Sequence, residues 1–472
     1  MISFATKHDD PQAALGWNER IGFGVGRFGF QMINAVLGSF LTIYFTNVAL
    51  LDAGIVASII AVSKVFDGIS DLIIGNIVDH TKSKMGKGRV WLFRMCIPYA
   101  VSTVLLMFIP QTWPALVKYI YVFLMYNIVN SVFMTFMFVP YFSMISLVTR
   151  NGFERGLLGN ISEIFSTLGS IVINTFFIAM LTRFSSSAEN IYTQQAFTVT
   201  NIVVGIAVVL VVMISILCTK ERVTDTEMAQ AEEKTEKVST IKSIKALVTN
   251  KYWLIMVIAM FVVFFVVIMF SVGAVYYCQY ILKDMADFAW MSNSVSIAQM
   301  CVMFITPFFM KKFGKRAIYT AGMGIVSLGF LGFGFFGNSQ TMMMICNALK
   351  GAGIGMAGGM ALGMLADTIT YGKMKTGVDA VGLGNAAASA AQKLGMGLGT
   401  AVFGWVLSMS GFDAVLDQQG LPQPDAVYMS IEAMYTWVPL VLCVLVFIIM
   451  LLFFDLEKKM TQMEKGEENE VL

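Results

Sequence analysis

Charge is what this chain has least of. Asp, Glu, Lys and Arg make up 13% of its 472 residues, where an average soluble chain carries roughly 25%. A water-soluble surface of this size cannot be covered so thinly, which excludes a cytosolic enzyme. Lys+Arg 32 against Asp+Glu 30 leaves no basic excess for a polyanion, so nucleic acid is not an expected partner. Histidine is scarcer still, and His8 and His80 lie far apart in polar flanks that suggest no metal site. Cys96, Cys218, Cys278, Cys301, Cys346 and Cys443 fall in or at the ends of apolar stretches without a CxxC pair, and read as buried small hydrophobes. The first fifteen residues lack an apolar core followed by a small-residue cleavage site, so the first hydrophobic segment is expected to remain in the mature protein. No nucleophile–base pair falls within one motif of the apolar segments, so neither an enzyme nor a resident cofactor is expected.

Apolar sequence is abundant, at 57%. Stretches long enough to span a bilayer lie at 22–48, 54–78, 91–110, 115–147, 159–182, 194–219, 252–280, 288–310, 317–337, 340–366, 380–410 and 427–455. After the sixth, the polar run from Lys220 to Lys251 reads as a solvated, partly helical linker. The expected organisation is a six-helix bundle over 1–219, a linker over 220–250, a second bundle over 251–455 and a tail over 456–472. Lys and Arg cluster after the even-numbered spans, as in Lys82, Lys84, Lys87 and Arg89 or Lys311, Lys312, Lys315 and Arg316, so both termini and the linker are predicted to be cytoplasmic. The loop GNIVDHTKSKMGKGR is weakly echoed by PFFMKKFGKR at the same place in the second half. Parallel six-span repeats are the build of the major facilitator superfamily, and Gly75, Asp79, Gly86, Lys87 and Arg89 resemble its cytoplasmic signature, whose charges govern conformational change. The second copy has Lys311 where that signature expects Asp.

Ionisable groups inside a span cost at least about 2.5 kcal/mol near the bilayer centre. In SKVFDGISD, Asp67 and Asp71 lie four apart on one helix face, with Lys64 a turn earlier. Two carboxylates that close ask for a cation between them or a proton on one; Na⁺ or H⁺ meets that demand, with Ser70 as a neutral oxygen ligand. A structural cluster, with Lys64 neutralising one Asp, is the alternative. Lys393 is positioned to attract the Asp pair from the other half, and Glu163 reads as a substrate contact, a proton site or a partner of Arg155. The glycine-rich run from Gly351 to Leu365 lacks the context and Lys-Ser/Thr ending of a phosphate loop and reads as a packing surface.

The stretches IGFGVGRFG, VFDGISDLIIGNIVDHTKSKMGKGR, FVPYFSM, ADTITYGKMKTG and AAQKLGMGLG, in this order, resemble the glycoside-pentoside-hexuronide:cation symporters, a melibiose permease-like family, over nearly the whole chain. The resemblance implies an all-α membrane protein of twelve transmembrane helices with the major facilitator superfamily fold. It implies a cation site of Asp67, Asp71, Ser70 and Thr135, with Na⁺ as transported metal ion. Lys393 matches a lysine between the cation and sugar sites. Gln31 and Phe138 stand where the family type has sugar-binding Asp residues, Glu163 where it has Arg, and Phe142 where it has a stacking Trp. Gln31, Phe138, Phe142, Glu163, Ser389, Gln392 and Lys393 are the substrate candidates, and Lys64, Gly75, Asp79, Gly86, Lys87 and Arg89 the conformational ones. The function so implied is cation-coupled uptake of a sugar, glycoside or hexuronide by a plasma-membrane monomer, with Na⁺ favoured over H⁺ or Li⁺. An amphiphilic, lysolipid-like cargo and a non-transporting membrane sensor are the alternatives. Symport itself comes from the resemblance, since paired acids alone also fit exchange.

Overall fold

The computed structural model describes residues 10–186, 191–222, 240–336, 339–378, 380–419, 421–457 and 459–460, and no β-strand occurs among them. The helices are α1 (Trp17–Ile43), α2 (Ala53–Asp79), α3 (Lys87–Leu106), α4 (Ala115–Asn127), α5 (Thr135–Val148), α6 (Gly152–Phe184), α7 (Gln194–Cys218), α8 (Thr240–Val248), α9 (Lys251–Tyr276), α10 (Asp287–Phe313), α11 (Lys315–Phe336), α12 (Gln340–Thr376), α13 (Val381–Met409), α14 (Ala414–Gln418), α15 (Asp425–Glu432) and α16 (Val438–Phe453). Four π-helical segments, Tyr44–Val48, Ile128–Met134, Tyr277–Leu282 and Ala433–Trp437, extend or join them. Eleven of the resulting helices are long and apolar enough to cross a membrane among the described residues. The stretch expected at 380–410 forms the 29-residue α13, which carries Asn385, Gln392 and Lys393 and is not among those eleven. Linker residues 223–239 and tail residues 461–472 lie outside the described residues.

Two compact units emerge: Met1–Thr235 with Ala274–Ala289 and Ala401–Ile431, and Glu236–Gly273 with Trp290–Thr400 and Glu432–Leu472. One end of α9 and one end of α13 thus pack with the first half of the sequence.

In the first unit α1 runs against α6 and α7, and its glycines explain how closely. Gly22, Gly26 and Gly29 form one row along α1, and a Cβ there would meet Cys218, Ser215 and Val211 of α7. Small residues at such spacing let helix backbones approach where lipid offers no hydrophobic drive. The IGFGVGRFG stretch is therefore a packing motif in its glycines. Tyr141 of α5 stacks on Phe23, ring centroids 4.5 Å apart, and donates its hydroxyl hydrogen to the Phe23 carbonyl at 2.8 Å. At the start of α1, Arg222 donates twice to the Glu19 carboxylate, at 2.8 and 2.9 Å, with both side chains fully buried. Arg20 pairs likewise with Glu154 of α6, and paired charges are the form in which burial is tolerated.

The second unit bears out the packing reading of the glycine-rich run. Any side chain at Gly351 or Gly353 would collide with the carbonyls of Val295 and Gly322, and one at Gly355 would stand 2.7 Å from that of Gln299.

Candidate functional site

Asp67 is buried on α2, and Lys64, one turn earlier, donates to its Oδ2 at 2.7 Å. The Ser131 hydroxyl donates to the other oxygen, Oδ1, and Thr135 donates to Asp71 Oδ1 at 3.2 Å. The two hydroxyls come from the π-helical segment Ile128–Met134 and the first residue of α5. Each π turn holds an extra residue and rotates the helix beyond it, a device frequent at functional sites. Here it lets α4–α5 present Ser131 and Thr135 to the two carboxylates. Ser70 spends its hydrogen on the Asp67 carbonyl at 2.9 Å. Ser131 was absent from the expected ligands, and its only signal is a hydroxyl one turn before Thr135. Lys64, Asp67 and Asp71 thus bring two carboxylates and one ammonium together on this face of α2, with a hydroxyl on each carboxylate.

Among the substrate candidates, Gln31 lies between α1 and α6. It donates to Ser170 Oγ at 2.9 Å and accepts from Ser166 and Asn34, each at 3.3 Å. Phe138 and Phe142 of α5 lie side by side, centroids 6.0 Å apart, with Phe142 exposed. Over both sits the Arg27 guanidinium, 5.0 Å from the Phe138 centroid and 5.3 Å from that of Phe142. Glu163 Oε1 lies 3.8 Å from Arg27 Nη2, whereas Arg155 donates from Nε to the Thr149 carbonyl at 2.8 Å. The partner of Glu163 is thus Arg27, a charge inside the first span that the charge reading passed over. Ser389, Gln392 and Lys393 lie on α13 in the other unit, with Ser389 exposed and the other two half-buried.

The signature loop forms a clamp. Gly86 has φ +104°, and just beyond it the N–H groups of Lys87, Gly88 and Arg89 donate to the Glu221 carboxylate at 2.7, 3.0 and 2.8 Å. A carboxylate at a helix N-terminus meets both orphan donors and the positive end of the dipole. Any Cβ on Gly86 would collide with that carboxylate. Arg89 donates to the Ile216 carbonyl at 2.6 Å, binding α3 to the end of α7. The second half repeats the device: Gly314 has φ +78°, the Arg316 N–H donates to Glu457 at 3.2 Å, and the Arg316 guanidinium donates to the Leu451 carbonyl at 2.7 Å. The weak sequence echo is therefore a true structural repeat, despite Lys311. The Asp79 side chain lies outside the described ones, and a Cβ at Gly75 would meet nothing within 4 Å.

The family described as MFS/sugar transport protein matches residues 22–458. The chain belongs to that family. It is 28% identical over 436 residues to the isoprimeverose transporter of Lactiplantibacillus pentosus, covering 90% of this chain and 86% of the relative. It is 25% identical over 450 residues to the glucuronide carrier protein homolog of Escherichia coli (strain K12), covering 94% of each. The D-xylose-proton symporter structure superposes with a TM-score of 0.65 at 15% identity, over 93% of this chain and 97% of that one, a likeness of fold. The resemblance to the glycoside-pentoside-hexuronide:cation symporters thus holds, as does the all-helical transporter fold.

In a transporter of this fold, contacts joining parts of the two sequence halves are candidate gates. At the end of the first unit opposite its clamp, Asn47 donates to Tyr280 Oη at 2.6 Å and to Asp417 Oδ2 at 2.7 Å. Thr46 and Tyr276 share a hydrogen bond of 2.9 Å. Trp405 donates to Ser58 at 2.9 Å, and Ser408 to Asp52 at 3.0 Å. Burial pushes the Asp417 carboxyl above the usual carboxylate range, and donation from Asn47 and Tyr280 holds the rise back. The sequence reading singled out none of these residues.

Proposed function

We propose that this multi-pass transporter carries a sugar or glycoside together with Na⁺ by alternating access, with both termini in the cytoplasm and the clamps on that face. The observation that carries the reading is the cluster of Lys64, Asp67, Asp71, Ser131 and Thr135. A cation seated between the two carboxylates relieves their mutual repulsion. The cluster's two hydroxyl oxygens are the neutral ligands a hard metal ion uses and a proton does not need. Cation binding removes the cost of holding two carboxylates together in the membrane, so the loaded carrier can change conformation where the half-loaded one is held back. One charge falling through 100 mV supplies about 2.3 kcal/mol for accumulation. The contacts of Asn47, Asp417, Trp405 and Ser408 then form an outer gate, which opens when substrate enters from outside. The names of the relatives, an isoprimeverose transporter and a glucuronide carrier homolog, support a sugar-type cargo.

Uptake into proteoliposomes, with and without an inward Na⁺ gradient at fixed pH, tests the reading. Transport of at least one glycoside or hexuronide should rise with the gradient, and Asp71→Asn should abolish the rise. Equal uptake in all conditions would sink the coupling role.

A further inference from the structure

Four arginines of the first unit show what a structural guanidinium looks like here and what does not. Arg222 is bound twice by Glu19, Arg20 twice by Glu154, and Arg89 reaches the Ile216 carbonyl with two nitrogens. Arg27 differs. Its Nε and Nη1 are buried with no hydrogen-bond partner among the described residues, and Nη2 stands 3.8 Å from Glu163, beyond hydrogen-bond length. The Arg27 side chain is 12% exposed while that of Glu163 is 48% exposed, so its counter-charge is half in solvent. Ten residues into α1, roughly 15 Å along the helix, such a group is costly unless something completes it.

We propose that Arg27, with Phe138 and Phe142 beside it, is the subsite for an anionic group, a carboxylate or sulfonate, on the transported sugar. The proposal deepens the sugar-carrier reading and rests on it. A planar guanidinium matches a carboxylate or sulfonate in charge and in hydrogen-bond geometry, and its unfilled donors supply the bonds. The exposed ring of Phe142 offers a flat apolar surface to the carbon face of a sugar ring whose acidic substituent reaches Arg27. Glu163 is the loose occupant of the anion position. An incoming oxyanion displaces it, and the freed carboxylate becomes an acceptor for sugar hydroxyls.

The test uses purified full-length protein with Na⁺ present and three matched probes: methyl β-glucoside, methyl β-glucuronide and the 6-sulfonate of the same glucoside. Affinities are read by thermal shift and competition. The better of the two acidic probes should bind roughly tenfold to a hundredfold tighter than the neutral one, as charge-assisted bonds require. The order of the acids tells carboxylate from sulfonate. Arg27→Gln should bring the acid-to-neutral ratio close to one, and Glu163→Gln, which removes the competing carboxylate, should raise it several-fold. A wild-type ratio of one or below overturns the proposal, as does a ratio that Glu163→Gln leaves unchanged, even if Arg27→Gln does not fold. Binding of the neutral probe alone refutes the anionic subsite and leaves the sugar-carrier reading standing. Failure of every sugar removes both.

Discussion

Asn47 offers the most direct handle on the conformational cycle, because two of its bonds reach segments distant in sequence. Asn47→Ala deletes a hydrogen bond to a carboxylate, worth about 1.5–3 kcal/mol net, and a neutral one to Tyr280 worth about 1 kcal/mol. A loss of about 3 kcal/mol moves the closed-to-open equilibrium at this end by roughly a hundredfold. Spin labels at Leu116 and Met429, both exposed at this end, read the two populations as a distance distribution. The variant should shift it toward the longer distance without substrate. The same gate carries a pH dependence whose sign is set by Asp417. Closing removes its carboxylate from water and raises its affinity for a proton, so the closed form binds more protons than the open one. The groups facing it are Asn47, Tyr280, Tyr276 and Tyr192, none cationic. Acid therefore favours closure, and the advantage fades as pH rises from the ordinary aspartate value near about 3.9 through the raised one. Asp417→Asn should flatten that dependence. An unshifted distribution in Asn47→Ala, together with an unchanged pH profile in Asp417→Asn, would refute the gate.

Ser131→Ala and Thr135→Ala should each raise the Na⁺ concentration for half-maximal uptake several-fold, with substrate affinity at saturating Na⁺ unchanged; a variant that alters only substrate affinity contradicts the placement of that hydroxyl. Gly86→Ala combines a left-handed φ, about 1–2 kcal/mol, with collision against Glu221, and should lower the melting temperature more than Gly314→Ala, whose Cβ would stand 3.0 Å from Glu457; the reverse order would contradict the clamp geometry. Lys350 is fully buried in the second unit, its Nζ 4.0, 4.5 and 4.7 Å from the ring centroids of Phe333, Phe330 and Tyr435. Lys350→Met keeps the volume and removes a buried ammonium, so its melting temperature should match or exceed that of the wild type, while Lys350→Ala should fall below it. Loss of transport in a fully stable Lys350→Met would instead make this lysine part of the machine.

The spans and the Asp67–Asp71 pair were legible because both rest on local rules, hydropathy over a window and a four-residue step on a helix, whereas Thr135 came only from the family resemblance. Lys64 was legible by the same local rules, and it pairs with Asp67. Ser131 was not, since an α-helical projection places it without the π turn that rotates α4 against α5. Arg27 was hidden by its setting in IGFGVGRFG, where the glycines carry the packing and draw the eye from the charge. Of the three readings open for Glu163, the pairing with Arg155 followed proximity in sequence, but Arg155 turns back to Thr149 and Glu163 lies nearest Arg27 on another helix. The gate joins Asn47 to Asp417 across most of the chain, and no local pattern carries such a pairing.

The two halves agree at the clamp and differ in the charges of their second spans. Both hold a glycine with positive φ, a following arginine bound to carbonyls at a helix end, and a glutamate from the segment after their last span. Counting back from the two glycines, Lys64, Asp67 and Asp71 fall opposite Ser292, Val295 and Gln299. In both copies the clamp ties the basic loop to the end of the half's last span. Three charges in a membrane-spanning helix are costly, and only one half carries them at this position. A second copy opposite the first would add another pair of carboxylates to the membrane interior, with its own demand for a counter-charge. On the proposed coupling these uncharged positions of α10 offer no second cation site, so one cation per substrate is the expected stoichiometry, and a measured value of two would show that a second site lies elsewhere than this repeat.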